Sequence, residues 1–297
     1  MQRVAIVMSA TANLAFAVAN VVRSVSVHSP NFAAEFIIYH EGMDEEDMRC
    51  LRMFGPCRFI PYVLPSTFDS VADTSNVAKY SHMAFALYEM FDHLDDFENV
   101  IYLDCDLLIQ RDISGLISYG PVAMAGGRLT IREACGQPDL QIDADLKARS
   151  TGVVVINRDL PEPEKLKLLA YDYTARFWDT LVFPDQGVLN LVLALEGIPV
   201  TALPAKYNKG KAQRNLHEAT IVHTQGGKSK FWNNGVTSLM FPEWNRYYQE
   251  WLKVGGKPYS GPRYYWEYAG VSQTELFQIL KMAREKGLIP STNGSGV

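Results

Sequence analysis

Short apolar segments alternate with helical patterns along most of this chain, and this alternation limits the folds that it can adopt. Segments typical of buried strands lie at residues 4–8, 36–39, 58–63, 100–103, 122–125, 152–156, 198–203 and 219–223. Patterns typical of helices lie at residues 14–25, 44–54, 80–94, 165–178 and 185–196. Strands that alternate with helices usually lie parallel, because each helix returns the chain to the same end of the sheet. The sequence therefore predicts an α/β fold, with a largely parallel sheet and helices on both faces.

The apolar N-terminal region has two interpretations. Its Ala-Phe-Ala sequence at residues 15–17 is similar to the cleavage site of a secretory signal peptide. However, Arg3 is the only basic residue ahead of the apolar stretch, and Asn13 and Asn20 interrupt it. A buried strand, a small polar turn and a helix account better for this pattern. No other stretch reaches the roughly 20 apolar residues that a membrane span requires.

Composition and charge exclude several classes of protein. The chain has 297 residues, of which 47% are hydrophobic and 21% charged, and these values are typical of soluble globular proteins. Its formal net charge of −5 argues against nucleic acid as a partner, because binding to phosphate backbones needs a clustered basic surface. The four cysteines form no Cys-x-x-Cys pair, so we expect reduced thiols and a cytoplasmic location. They are Cys50, Cys57, Cys105 and Cys135.

The character of the chain changes near residue 240, where aromatic residues become frequent among lysines and arginines. Glycines and prolines break this region into short helices, so we predict a catalytic domain at 1–239 and a helical appendage at 240–297. Residues 291–297 are expected to form a flexible tail. The appendage leaves open a peripheral membrane contact, but seven basic and five acidic residues are too balanced for an electrostatic anchor. Ordinary packing of amphipathic helices is the alternative.

The most informative motif is the Asp-x-Asp sequence formed by Asp104 and Asp106, which follows a buried strand directly. On an extended chain, residues two apart point to the same side, so both carboxylates can converge on one cation. The carboxyl ends of parallel strands are where ligands bind in open sheets. Hard divalent cations prefer such oxygens and share their remaining positions with phosphates. The motif therefore predicts a site for a metal and a diphosphate.

Two comparisons sharpen this interpretation. A second Asp-x-Asp, at Asp143 and Asp145, has no apolar run before it, and we expect a solvated loop or a helix start there. Haloacid dehalogenase-like phosphohydrolases also use Asp-x-Asp, but they place it on their first strand, with Thr or Val two residues later. Here Leu108 holds that position, which argues against this class.

Taken together, five ordered motifs resemble those of the family 8 glycosyltransferases, and the resemblance covers about residues 4–232. The enzymes of this family retain the anomeric configuration and use nucleotide-sugar donors. The resemblance therefore implies their GT-A fold, which is Rossmann-like. The motifs are IYLDCDLLI at 101–109, RSTGVVVIN at 149–157, PDQGVLN at 184–190, KYN at 206–208 and HTQGGKSKFW at 223–232. They are similar to the metal-binding strand, the donor-sugar segment, a helix start, a strand-end motif and the terminal His-x-x-Gly-x-x-Lys-Pro-Trp of the family.

The resemblance implies roles for several of these residues. His223 ends an apolar strand and offers a third ligand beside Asp104 and Asp106, and mixed oxygen and nitrogen ligands suit Mn²⁺, with Mg²⁺ as the alternative. Asp185 and Gln186 would lie at the donor sugar as catalytic residues. The diphosphate would contact glycine backbone and lysine, namely Gly226, Gly227 and either Lys228 or Lys230. Alignment of the last motif at Trp232 favours Lys230 as the lysine that contacts phosphate. Asn190 is expected to be structural, whereas Asn208 could have either a structural or a functional role.

The chain departs from the family pattern at donor-contact positions. Where the family has an Asp near the base, this sequence offers Thr11 and Asn13, with Ser9 nearby, so a uridine donor is expected but not required. In the donor-sugar segment, Ser150 and Thr151 replace the usual Asn-Ala. A family arginine ahead of the metal-binding strand corresponds to His82, with Lys79 one turn earlier.

We therefore expect a metal-dependent glycosyltransferase that moves a hexose, galactose or glucose, from a UDP-sugar to a hydroxyl acceptor such as a glycan. The alternative is a non-catalytic nucleotide-sugar or glycan-binding protein on a decayed GT-A fold, suggested by the departures above. A nucleotidylyltransferase is disfavoured, because the N-terminal region has no Gly-rich loop with Lys or Arg. The sequence does not predict the oligomeric state.

Overall fold

The computed structural model of the protein describes residues 3–68, 81–210, 216–264 and Lys281. The strands are β1 (Val4–Thr11), β2 (Ala34–Glu41), β3 (Cys57–Pro61), β4 (Asn99–Leu103), β5 (Leu107–Ile109), β6 (Val122–Ala125), β7 (Ser150–Asn157), β8 (Val200–Leu203), β9 (Lys209–Gly210) and β10 (Ile221–His223). Seven of them form a sheet in the order β3-β2-β1-β4-β7-β6-β8, and a smaller sheet has the order β5-β10-β9. In the larger sheet only β7 runs against its neighbours β4 and β6, so this sheet is mainly parallel, as predicted.

Helices flank the larger sheet. The α-helices are α1 (Ala15–His28), α2 (Glu45–Arg52), α3 (Ile131–Cys135), α4 (Pro163–Phe177), α5 (Pro184–Leu195), α6 (Gly235–Met240) and α7 (Pro242–Lys253). A long 3₁₀ helix spans His82–Leu94, and shorter ones occur at Ala12–Leu14, Ser66–Phe68, Ser114–Ser118, Ala205–Tyr207 and Leu216–Glu218. In the described part of the chain, no helix is both long and apolar enough to cross a bilayer.

A hydrophobic core lies on each face of the larger sheet. Along β1, Ile6 and Met8 pack into the core that contains α1, whereas Ala5 and Val7 pack into the core on the opposite face. This alternation follows from the two-residue repeat of a strand. Because both faces of the sheet are covered, β1 is apolar along its length. This explains why its sequence resembles that of a signal peptide.

The predicted strands all form, and their ends differ from the sequence prediction by at most three residues. The helix at 44–54 starts later than predicted, because Asp44 is its N-cap and accepts a hydrogen bond from the Asp47 amide at 2.9 Å. The small strands β5 and β9 and the helix α3 were not predicted, since each is too short to show a hydrophobic period.

The described part of the C-terminal region packs on α1. Arg23 of α1 pairs with Glu250 at 2.6 Å, and His28 lies 3.1 Å from Glu243. Trp244 and Trp251 are buried in the same core as β1. The division at 239/240 stays a prediction, and the expected tail at 291–297 lies outside the described residues, as do Lys79 and Tyr80.

Candidate active site

The site lies where β4 ends and β7 begins. Because β7 is antiparallel to β4, its first residues lie beside the last residues of β4, and the Asp104 amide donates to the Gly152 carbonyl at 3.1 Å. Asp104 follows β4 directly, and Asp106 immediately precedes β5. The sequence predicted the position of both aspartates at a strand end, but the reversed direction of β7 is what brings residues 150–152 to them.

Asp104, Asp106 and His223 converge. His223 ends β10, which pairs antiparallel with β5, so that His223 lies opposite Leu107. Its Nε2 is 3.0 Å from Asp106 Oδ1 and 3.5 Å from Asp104 Oδ2. One ligand atom from each residue lies within 4.8 Å of the others. This grouping is a possible metal-binding triad, and two carboxylates with one imidazole form a donor set suited to a divalent transition metal.

Gly152 has no side chain, and this leaves room for the triad beside it. A Cβ atom at this position would lie 2.5 Å from His223 Cε1 and 3.1 Å from Asp104 Oδ2. Any larger residue would therefore push apart two of the three candidate ligands. The donor set and this close approach of the backbone both fit a bound divalent cation.

The charges in the site shift one another's pKa values. Burial alone would raise the pKa of Asp106, but the charges and hydrogen bonds of His223 and Lys230 outweigh burial and hold this pKa well below its usual range. Burial and the charge of Asp106 together raise the pKa of Asp104 to about 7. Burial would lower the pKa of His223, but the charge of Asp106 outweighs it and raises this pKa. Asp106 is thus the anchoring negative charge, and Asp104 titrates near neutral pH.

The two candidate phosphate lysines lie in different surroundings. Lys230 Nζ forms an ion pair with Asp106, whereas Lys228 Nζ lies 5.7 Å from the ring centroid of Tyr264. Burial would lower the pKa of Lys230, but the charge of Asp106 raises it above its ordinary value. The structure therefore brings Lys230 to the triad, which favours it over Lys228 as the lysine of the site.

The loop before Lys230 is held by a residue that the sequence did not single out. Gly226 has a φ of 85°, which favours glycine, and Gly226 and Gly227 are both exposed. Asn233 donates through Nδ2 to the Gly227 carbonyl at 2.7 Å and accepts the Lys230 amide at 3.0 Å. Trp232 packs edge-on against Phe16, with the ring centroids 5.5 Å apart, and so anchors the loop.

Asp185 lies in the first turn of α5 and faces the start of β7. Its carboxylate accepts a hydrogen bond from Thr151 Oγ1 at 2.6 Å, and burial raises its pKa. The N-cap of α5 is Phe183, so Asp185 is not the cap of this helix. Gln186 is half-buried beside Asp185. Thr151 and Asp185, chosen from separate motifs, are therefore in direct contact.

Two asparagines connect the motifs. Asn190 accepts the Arg149 amide at 2.8 Å and donates to the Arg149 carbonyl at 2.8 Å, so it is structural, as expected. Asn208 Oδ1 lies 2.8 Å from His223 Nδ1, and its Nδ2 donates to Ser150 Oγ at 2.9 Å. The second asparagine therefore contacts one candidate metal ligand and one candidate donor-binding residue.

The remaining predicted donor-binding residues contact other partners. Ser9 Oγ lies 3.0 Å from the Tyr102 hydroxyl in the interior, and Thr11 donates to Asn13 Oδ1 at 2.6 Å. His82 Nε2 lies 3.4 Å from Glu41 Oε2. The roles of these four residues in donor binding stay predictions. The second Asp-x-Asp is exposed, and Asp143 accepts a hydrogen bond from the Asp145 amide at 3.0 Å, which agrees with the expected solvated loop.

Comparisons with known proteins agree with this fold. The galactosyltransferase LgtC, solved with donor and acceptor sugar analogues, is 18% identical, with a TM-score of 0.66 over 84% of this chain and 99% of LgtC. The bifunctional glycosyltransferase WbbM is 13% identical, with a TM-score of 0.61 over 94% of this chain and 52% of WbbM. The glycosyltransferase GlyE of Streptococcus pneumoniae is 18% identical, with a TM-score of 0.57 over 99% of this chain and 66% of GlyE.

At these identities the likeness establishes the fold, which is that of GT-A glycosyltransferases. No protein of curated function matches the sequence significantly. The family model for glycosyl transferase family 8, however, matches residues 5–236, which is most of the chain. The protein therefore belongs to glycosyl transferase family 8 and is a glycosyltransferase.

Proposed function

We propose that this glycosyltransferase moves a hexose, galactose or glucose, from a UDP-sugar to a hydroxyl acceptor such as a glycan, with the help of Mn²⁺ or Mg²⁺. The observation that carries the proposal is the convergence of Asp104, Asp106 and His223 beside Lys230. Carboxylate, imidazole and ammonium groups at one point suit a ligand with adjacent phosphates, because a cation held by the first two and the lysine would both offset the phosphate charge. The imidazole nitrogen favours Mn²⁺ over Mg²⁺.

The residues of the site would have separate roles in the transfer. Asp104, Asp106 and His223 would hold the cation, and a bound cation would supply positive charge to stabilise the departing diphosphate. Lys230 already faces these groups and can exchange its contact with Asp106 for one with a phosphate oxygen. With the leaving group assisted in this way, a strong nucleophile in the protein is not needed.

Asp185 and Gln186 would contact the donor sugar. The Thr151 hydroxyl fixes one oxygen of the Asp185 carboxylate, which leaves the other to accept hydrogen bonds from sugar hydroxyls. Gln186 follows on the same helical turn, but a neutral amide is a weak nucleophile. We therefore favour retention of configuration by attack on the same face over double displacement through Gln186. An active-site Gln-to-Glu variant has been solved for LgtC, which makes an active-site glutamine a feature of that protein.

We assign the catalytic unit to residues 1–239 and the appendage to residues 240–297, in a cytoplasmic protein. Trp244, Tyr247 and Trp251 of α7 are buried against the rest of the chain. Their burial favours ordinary packing over membrane contact for this part of the appendage.

A donor panel tests the proposal. Purified protein is incubated with UDP-galactose, UDP-glucose and the corresponding GDP- and ADP-sugars, with Mn²⁺, Mg²⁺ or EDTA, and release of nucleoside diphosphate is measured. We expect UDP release from at least one UDP-hexose with metal and none with EDTA. Full turnover in EDTA would overturn the metal assignment, and turnover only of GDP- or ADP-sugars would overturn the uridine assignment.

A further inference from the structure

Asn208 lies between two parts of the candidate site. It follows the 3₁₀ helix Ala205–Tyr207 and precedes β9, which pairs with β10 so that Gly210 lies opposite His223. This pairing places its side chain against the imidazole at 2.8 Å and against the Ser150 hydroxyl at 2.9 Å. His223 is buried, with 7% of its side chain exposed, so water does not readily replace this partner.

The two ends of the Asn208 amide face different partners. An amide oxygen only accepts hydrogen bonds and an amide nitrogen only donates them. In the structure the Asn208 nitrogen faces Ser150 Oγ, and its oxygen faces His223 Nδ1. Ser150 Oγ also lies 3.4 Å from the Gly152 amide, and a hydroxyl oxygen can accept from both nitrogens.

An acceptor at Nδ1 determines which imidazole nitrogen can bind a metal. Nδ1 must carry a proton to donate to Asn208 Oδ1. Nε2 is then the nitrogen available as a ligand, and it faces Asp106 Oδ1 at 3.0 Å and Asp104 Oδ2 at 3.5 Å. A hydrogen-bond partner at the ring nitrogen that does not bind the metal orients a metal-binding histidine. Its loss typically lowers metal affinity by about 10- to 100-fold.

We propose that Asn208 is a positioning residue, which holds the His223 ring with Nδ1 protonated and Nε2 directed at the cation. The inference rests on the proposed metal site and adds a residue to it. Through Ser150, Asn208 also ties the histidine to the start of β7, whose Gly152 lies against the same ring. The orientation of the metal ligand is thus linked to the segment expected to contact the donor sugar.

Three substitutions separate this role from a purely structural one. Asn208→Leu keeps a similar volume but removes the acceptor. Asn208→Asp keeps an oxygen toward Nδ1, and the Ser150 hydroxyl can rotate to donate to its second oxygen. Ser150→Ala removes only the far end of the bridge. Thermal unfolding without metal is measured for each variant, so that a loss of folding is recognised.

The first readout uses metal-free protein. The ring nitrogens of His223 are observed by ¹⁵N NMR near neutral pH. We expect a protonated, slowly exchanging Nδ1 in the wild type and in Asn208→Asp, and a rapidly exchanging Nδ1 proton in Asn208→Leu. An unchanged Nδ1–H signal in Asn208→Leu would overturn the inference without any reference to metal.

The second readout is Mn²⁺ affinity, measured by isothermal titration calorimetry. Asn208→Leu should bind Mn²⁺ about 10- to 100-fold more weakly, while Asn208→Asp should retain wild-type affinity and Ser150→Ala should lose less than Asn208→Leu. Equal losses in Asn208→Leu and Asn208→Asp would contradict the positioning role. A wild-type protein that binds no Mn²⁺, yet shows the expected Nδ1 signals, would contradict the proposed metal site while leaving the contact of Asn208 with His223 intact.

Discussion

The chain contains the sequence Asp-x-Asp twice, and the two copies have different surroundings. Asp106 is buried against His223 and Lys230, between β4, the central strand of the larger sheet, and β5 of the smaller sheet. Asp143 and Asp145 are exposed, and Asp143 accepts a hydrogen bond from the Asp145 amide within its own loop. The comparison shows that two carboxylates at this spacing become a candidate metal site only when the fold brings other ligands to them.

The largest expected difference lies between Asp106→Ala and Asp143→Ala. Loss of Asp106 removes a candidate metal ligand and leaves Lys230 and His223 without their shared anion, so kcat should fall by about 10²- to 10³-fold or more. Asp143→Ala should change kcat by less than about twofold, since exposed groups outside a site contribute little. Steady-state kinetics with the active UDP-sugar measure both. Similar losses in the two variants would remove the distinction between the motifs.

Gly152→Ala tests the space around the triad. Its Cβ would approach His223 Cε1 to 2.5 Å, so we expect Mn²⁺ affinity to fall by about 10- to 100-fold. Gly126→Ala is the matched control, because a Cβ there meets nothing within 4 Å. Calorimetric titration with Mn²⁺ compares the two. Wild-type Mn²⁺ affinity in Gly152→Ala would show that the candidate metal ligands do not depend on the space that Gly152 leaves beside them.

Lys230→Met and Lys228→Met compare the two lysines of the loop. Loss of a charge-assisted hydrogen bond costs about 1.5–3 kcal/mol, so Lys230→Met should weaken UDP binding in the presence of Mn²⁺ by about 10- to 150-fold. Lys228→Met should weaken it by less than about threefold, because its ammonium group lies near the half-buried ring of Tyr264 and not at the triad. If Lys228→Met has the larger effect, the assignment of the phosphate lysine is reversed.

Mn²⁺ affinity should also depend on pH in a defined direction. Metal binding requires a deprotonated Asp104 and an unprotonated His223 Nε2, and in the metal-free protein the pKa of Asp104 is raised to about 7 and that of His223 is raised as well. Affinity is therefore full above these pKa values and decreases as the pH falls through about 7, by about tenfold per pH unit for each proton. Affinity that stays constant from about pH 8 to 6 would contradict these shifts.

Local features of the site could be predicted from the sequence, whereas contacts between distant segments could not. Asp104 and Asp106 were found because a buried strand precedes them within the same motif. The contact between Thr151 and Asp185 depends on the packing of α5 against β7, and that between Asn208 and His223 depends on the pairing of β9 with β10. No local period in the sequence reveals either arrangement. The antiparallel direction of β7 is a further example, since an apolar run is the same in either direction.

The same limit applies to the predicted donor-contact residues, whose roles stay predictions. His82 was chosen because it aligns with a family arginine, and its Nε2 lies 3.4 Å from Glu41 Oε2 at the end of β2. Ser9 was chosen because it lies in the same segment as Thr11 and Asn13, and its hydroxyl contacts Tyr102 on a neighbouring strand. Position along the chain could not determine these side-chain partners.

The most direct test of this account is the stoichiometry and affinity of Mn²⁺ binding, measured by electron paramagnetic resonance on the wild type, Asp106→Ala and Asp143→Ala, each with and without UDP. We predict one site per chain, which UDP tightens, in the wild type and in Asp143→Ala, and none in Asp106→Ala. Mn²⁺ bound equally well by Asp106→Ala would contradict the claim that Asp104, Asp106 and His223 hold the cation.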